Sequence, residues 1–165
     1  MDNIILIGMP GAGKSTVGVI LAKTIGYDFV DVDIHIAKRE GMPLQDILDQ
    51  KGIEAFLAIE ADVAHSLTLE KTVIATGGSL ALSNSAMAHL KQSGRCVFLD
   101  VALPTLEQRL SNIKNRGVAA GPGKTIAQIE AERRPFYESA ADVTISCGDD
   151  SVEKTVEEII SALNL

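Results

Sequence analysis

Apolar residues in this chain fall into two alternating patterns, short continuous runs and longer stretches with helical spacing. Asn3 to Gly8 is a continuous apolar run closed by glycine, which predicts a central buried strand. Lys14 to Gly26 places Val17, Ile20, Leu21 and Ile25 at helical spacing and also ends in glycine. Tyr27 to Asp33 predicts a second strand, with Asp31 and Asp33 at its end. Ile34 to Asp49 predicts two short helices broken at Gly41-Met42-Pro43, and Gly52 to Leu69 one longer helix. Further strands are predicted at Thr72 to Thr76, Arg95 to Val101 and Asp142 to Ser146. Between and after them, helices are predicted at Asn84 to Gln92, from Pro104 to about Ile113, at Ile126 to Ala140 with an interruption near Pro135, and at Val152 to Leu163. Asn115 to Thr125 has no periodicity and several glycines, and predicts a mobile loop.

Strands that alternate with helices imply right-handed βαβ units, hence an α/β fold with a parallel sheet covered on both faces. The composition agrees. Of 165 residues 46% are hydrophobic but only 4% aromatic, so the core is built from Ile, Leu, Val and Ala, as in strands buried on both sides. The length suits one domain, 1–165, and no repeat or linker divides it. A net charge of -7 speaks against nucleic-acid and anionic-membrane partners. It also makes the positions of the 15 Lys and Arg residues informative for any anionic ligand. Two cysteines are too few for a disulfide framework and read as reduced packing residues. No basic leader and no membrane-length apolar run is seen, which predicts a cytoplasmic protein.

Candidate chemistry enters at Gly8-Met9-Pro10-Gly11-Ala12-Gly13-Lys14-Ser15, a full match to the phosphate-binding G-x-x-x-x-G-K-[ST] pattern. Its glycines let backbone N–H groups turn inward, and the helix after the loop points its positive end at the phosphates. Lys14 is placed to reach the β- and γ-phosphates, and the Ser15 hydroxyl to ligate Mg²⁺. A chance match in a chain of this length has odds on the order of one per cent. The motif specifies a nucleotide, not a reaction. No Asn-Lys-x-Asp segment supports a GTPase, and motor or ring ATPases need more chain, which leaves a small-molecule kinase or a nucleotide-gated binding module.

Phosphoryl transfer needs one acid near the metal ion and another at the acceptor hydroxyl. Asp31 and Asp33, one residue apart on a strand, would both face the cleft. The competing reading is a helix N-cap, with Asp33 capping the helix after the strand. Taken together, Gly8 to Thr16, Asp31-x-Asp33, Gly52-x-x-x-Phe56-x-x-x-Glu60, Gly77-Gly78, Arg116 and Arg133-x-Pro135-x-Tyr137 resemble the shikimate kinase family, in order and at near-family spacing.

That resemblance implies a three-layer P-loop kinase fold of the adenylate-kinase type, with a five-stranded parallel sheet flanked by helices and a mobile lid at about 112–124. It implies transfer of the γ-phosphate of ATP to the 3-hydroxyl of shikimate, in aromatic amino acid biosynthesis, with ATP and Mg²⁺. By position it assigns Gly11, Ala12, Gly13, Lys14, Ser15 and Thr16 to the nucleotide, and Arg109 to the residue that stacks on adenine. Ser15 and Asp31 lie where the metal is held. Lys14, Asp33 and Arg116, the lid arginine, match the catalytic positions. Asp33, Gly77, Gly78 and Arg133 match the acceptor-binding positions, as does Leu57, though with altered chemistry. For the other arginines, Arg134 and Arg95, a solvated surface charge is expected. A monomer is the default for a kinase of this size.

The departures cluster on the acceptor side. Leu57 stands where the family has an arginine that pairs with the shikimate carboxylate. The triple glycine becomes Gly77-Gly78-Ser79, the family's acid after Asp33 is Ala37, and the lid's Arg-Pro becomes Arg116-Gly117. An arginine–carboxylate fork has no substitute in leucine. The expectation is therefore an active kinase for shikimate or a closely similar metabolite. The alternatives are a kinase for a different small hydroxylated acceptor, or a non-catalytic nucleotide-binding module.

Overall fold

The computed structural model describes residues 2–111, 123–148 and 151–165. Its sheet has the strands β1 (Asn3–Ile7), β2 (Asp28–Asp31), β3 (Thr72–Ala75), β4 (Gly94–Val101) and β5 (Val143–Cys147), in the order β2-β3-β1-β4-β5. Every pairing is parallel, with Ile5 opposite Ile74 on one side and Cys96 on the other. All five residues of β1 are buried although successive side chains point to opposite faces, so both faces of the sheet are covered. The helices are α1 (Lys14–Ile25), α2 (Val32–Glu40), α3 (Leu44–Lys51), α4 (Ile53–Ser66), α5 (Asn84–Lys91), α6 (Leu103–Ser111), α7 (Ile126–Ala140) and α8 (Val152–Leu163). α1 packs on α8, and α4 packs on α2, α3 and α5. The core is aliphatic, with Ile4 to Ile7, Leu21, Ile36, Ile74 and Leu99 among its fully buried members.

Element type agrees with the sequence pattern throughout the described residues, and three details differ. β2 stops at Asp31, and Asp33 lies in the first turn of α2 instead of on the strand. The cause is Asp31 itself. Its carboxylate accepts from the backbone N–H of Asp33 (2.9 Å) and of Ile34 (3.4 Å), an N-cap that starts the helix there and not at Asp33. α7 runs unbroken through Pro135, against the expected interruption. Pro135 is exposed, so the carbonyl its ring deprives of a donor can turn to water, while Arg133 and Tyr137 on either side are buried and hold the helix down. A capping box between Thr125 and Gln128 fixes its start.

The third difference is Arg134, which is no free surface charge. Its guanidinium meets Asp100 (2.7 Å), Glu130 (2.6 Å) and Glu138 (3.3 Å) and lies 5.6 Å over the Phe98 ring, tying α7 to β4. Arg95 likewise donates to the Leu163 carbonyl at 2.8 Å. The expected lid at about 112–124 and its Arg116 fall on residues 112–122, outside the described residues apart from the lid's last two positions. No helix among the described residues is long and apolar enough to cross a membrane.

Candidate active site

β1 lies between β3 and β4, so the chain departs from the middle of the sheet first to one side and later to the other. Open α/β sheets place their ligands at such a switch, beyond the carboxyl ends of the strands. The loop after β1 and the Thr76-Gly77-Gly78 segment after β3 both emerge there. They face one another across a cavity of about 420 Å³. Pro10 to Val17 line one side, Asp33, Thr76, Gly77 and Gly78 another, and Arg109, Cys147 and Thr155 a third.

On the loop side, Gly13 caps α1 with φ 89°, a left-handed conformation that a side chain would strain. Its neighbour Lys14 is buried, and its Nζ donates to the carbonyls of Gly8 (2.6 Å) and Met9 (2.8 Å), which folds the ammonium over the loop. Arg109, on α6, donates from Nη1 to the Gly11 carbonyl at 2.9 Å. The Ser15 hydroxyl donates to Oδ2 of Asp31 at 2.6 Å while Oδ1 of the same carboxylate caps α2. One aspartate is therefore fixed by two elements, with its hydroxyl partner at the mouth of the loop.

Across the cavity, Gly77 and Gly78 are glycines for lack of room. A Cβ on Gly77 would lie 2.6 Å from Oδ1 of Asp33 and 3.0 Å from Oε2 of Glu60. On Gly78 it would lie 2.6 Å from Cδ of Pro10 and 3.0 Å from Nη1 of Arg133. The Gly77–Gly78 wall thus touches the phosphate loop directly through Pro10. Tyr137 donates its hydroxyl proton to the Gly78 carbonyl, and Ser79 Oγ lies 2.8 and 3.0 Å from the two oxygens of Glu60.

Among the described residues the buried charged side chains are Lys14, Glu60 and Arg133, and all three act on this one region. Glu60 is pushed up to about 7, chiefly by burial and further by Asp33; Ser79, Arg133 and Lys14 pull the other way. Burial likewise raises the Tyr137 phenol to about 12, so it stays a hydrogen-bond donor at neutral pH.

Of the residues expected from sequence, Gly11 to Thr16, Asp33, Gly77, Gly78 and Arg109 line the cavity together. Asp31 stands beside it through Ser15. Arg133 does not line the cavity and is buried behind Gly78. Leu57 does not line it either; it is half-buried and packs against the apolar core. Glu60, Ser79 and Thr76 belong to this region without having stood out as site residues in the sequence. A signal for Glu60 is present there, since it falls four residues after Phe56 and so on the buried face of α4.

A family model for shikimate kinase matches residues 10–164. The chain belongs to the shikimate kinase family. Shikimate kinase of Sulfurihydrogenibium sp. is 37% identical over 164 residues, covering 99% of this chain and 98% of that protein. The crystal structure of shikimate kinase from Aquifex aeolicus superposes with a TM-score of 0.82 at 33% identity, over 98% of this chain and 96% of that one. The Acinetobacter baumannii enzyme, solved in complex with shikimate, gives a TM-score of 0.87 at 28% identity, over 99% and 93% of the two chains. The five-stranded parallel sheet flanked by helices is the P-loop fold of shikimate kinases.

Proposed function

We propose that this protein transfers the γ-phosphate of ATP to a hydroxyl group of shikimate or a closely similar metabolite. The observation that carries this reading is the single cavity in which the phosphate loop, with Lys14 and Ser15, faces Asp33 and the Gly77–Gly78 wall. Donor and acceptor would meet end to end there, with Pro10 against Gly78 setting their spacing.

In this reading the backbone of Gly11 to Thr16 and the N-terminus of α1 hold the phosphates. Lys14 leaves its loop carbonyls for the β- and γ-phosphates and stays with the charge that develops on the transferring group. Asp33 accepts the hydrogen bond of the acceptor hydroxyl, orients its oxygen and takes its proton. Gly77 and Gly78 let the acceptor approach the backbone, and Arg133, buried behind them, supplies positive charge. Arg109 covers the loop on the nucleotide side, and Arg116 supplies the cation of the lid.

The residues present fit a magnesium ion. Ser15 and Asp31 offer the hard oxygen donors it prefers, and it characteristically keeps waters and phosphate oxygens as its other ligands. No cluster of three or more His, Cys, Asp or Glu is needed for that, and none occurs among the described residues. When bound, the ion offsets negative charge on the phosphate oxygens.

Leu57 supports a second reading, a kinase of the same fold for a small hydroxylated acceptor that lacks a carboxylate at that position. A coupled ADP-release assay with Mg·ATP, shikimate and a panel of small alcohols and hydroxy acids separates the two. Saturable turnover of shikimate is the expected result. Turnover of another compound with none on shikimate would establish the second reading, and ATP binding without turnover of any compound would leave a binding module. The enzyme is proposed to act as a cytoplasmic monomer.

A further inference from the structure

We propose that Ser79 is a positioning residue of the acceptor half of the site, whose hydroxyl orients the carboxylate of Glu60. The inference deepens the shikimate-type reading above and rests on it.

Glu60 is 1% exposed, and a carboxylate that deep needs donors. One place to put a donor is residue 57, three positions earlier on α4 and so on the neighbouring turn of the same face. Leucine there has no donor to offer. The hydroxyl of Ser79 supplies one from the other side, from 19 residues along the chain, in reach of both carboxylate oxygens. Nothing in the backbone calls for the serine: its φ of -100° and ψ of -12° suit any residue. Its side chain is what distinguishes it, and that side chain is committed to Glu60.

The consequence reaches the acceptor through the wall. Glu60 Oε2 and Asp33 Oδ1 both occupy the space that a side chain on Gly77 would need, and Arg133 Nη1 the space beside Gly78. The charged groups acting on Glu60 are Asp33 from α2, Arg133 from α7 and Lys14 from α1. If Glu60 turned, it would change its approach to Gly77 and to the acid proposed to hold the acceptor hydroxyl. Ser79 therefore acts first on the acceptor side, and reaches the loop after β1 only through Glu60 and the charge of Lys14.

The test is a double-mutant cycle of Ser79→Ala and Leu57→Arg in the full chain, with the KM for shikimate, the KM for ATP and kcat read by ADP release. Ser79→Ala is expected to raise the shikimate KM roughly tenfold, the loss of one hydrogen bond to a charged group, without moving the ATP KM. Ser79→Thr, which keeps the hydroxyl, restores it. Leu57→Arg lowers the shikimate KM more strongly in the Ser79→Ala background than in the wild type, because an arginine one turn before Glu60 replaces the missing donor. Ser79→Gly is carried in parallel in case the alanine variant folds poorly. An unchanged shikimate KM, an equal rise in both KM values, or additive effects of the two substitutions would overturn the proposal.

A second readout needs no acceptor. In the ligand-free, ¹³C-labelled protein, Ser79→Ala should move the carboxyl titration of Glu60 upward from about 7, since a hydrogen bond to its ionised form is lost. Wild-type inactivity toward shikimate would refute the acceptor assignment alone. An unmoved Glu60 titration would refute the role of Ser79 whatever the acceptor.

Discussion

Glu60→Gln should flatten the dependence of folding stability on pH between about 4.5 and 7. In the unfolded chain Glu60 titrates near its ordinary 4.5, whereas in the folded protein burial lifts it to about 7. Between those values the native state holds a proton that the unfolded chain has released. Stability contributed by this group is therefore full below pH 4.5 and is lost as pH rises through 7. The gap of about 2.5 pH units corresponds to about 3 kcal/mol at most. Glutamine keeps the volume and an oxygen for Ser79 but cannot ionise. At pH 5, where Glu60 is neutral in the native state, variant and wild type should differ little. At pH 8 the wild type should have lost up to those ~3 kcal/mol relative to the variant. Urea denaturation at half-unit steps from pH 5 to 8 measures this directly, and other titrating groups cancel in the comparison. Parallel curves for the two proteins would refute the reasoning, because they would mean that Arg133 and Lys14 hold Glu60 ionised and that burial is not the dominant effect.

Gly78→Ala should lower kcat/KM by roughly a hundredfold at a stability cost of about 1–3 kcal/mol, since the added methyl meets Pro10 and Arg133 and forces apart the two halves of the site. Gly41→Ala, with positive φ but nothing within 4 Å, should lose stability alone, so the pair separates strain from misalignment by thermal melting and ADP release. Lys14→Ala should lower kcat by at least about a hundredfold, with a stability loss of about 1–3 kcal/mol from its two carbonyl hydrogen bonds; retained turnover would remove Lys14 from the mechanism. Arg134→Leu should cost about 1–2 kcal/mol, a modest figure because the side chain is 35% exposed and its ion pairs are screened, and urea titration at low and high salt would show the difference shrinking.

The sequence by itself determined whatever depends on neighbours along the chain. Strand and helix types come from periodicity, the break at Gly41-Met42-Pro43 lies between α2 and α3, and the phosphate loop is complete within eight consecutive residues. Such a loop can be read because its chemistry lies in its own backbone and in two adjacent side chains. The family, too, was legible, since its marks are spaced along the chain. Tertiary structure decided the rest. Whether Asp31 or Asp33 capped α2 depended on which carboxylate could reach the free N–H groups while still taking a hydrogen bond from Ser15 on another element. Pro135 passed through α7 because its exposed side could be solvated while the buried side was held. Arg134, in sequence a surface charge, became a clamp only when β4 brought Asp100 beneath it. Glu60, Ser79 and Arg133 come from three separate segments, and although the family marks include Glu60 and Arg133, nothing in the sequence says that the three meet. Burial makes them a unit, because a charge taken out of water must find its partners in space, and the chain order does not say where those partners will be.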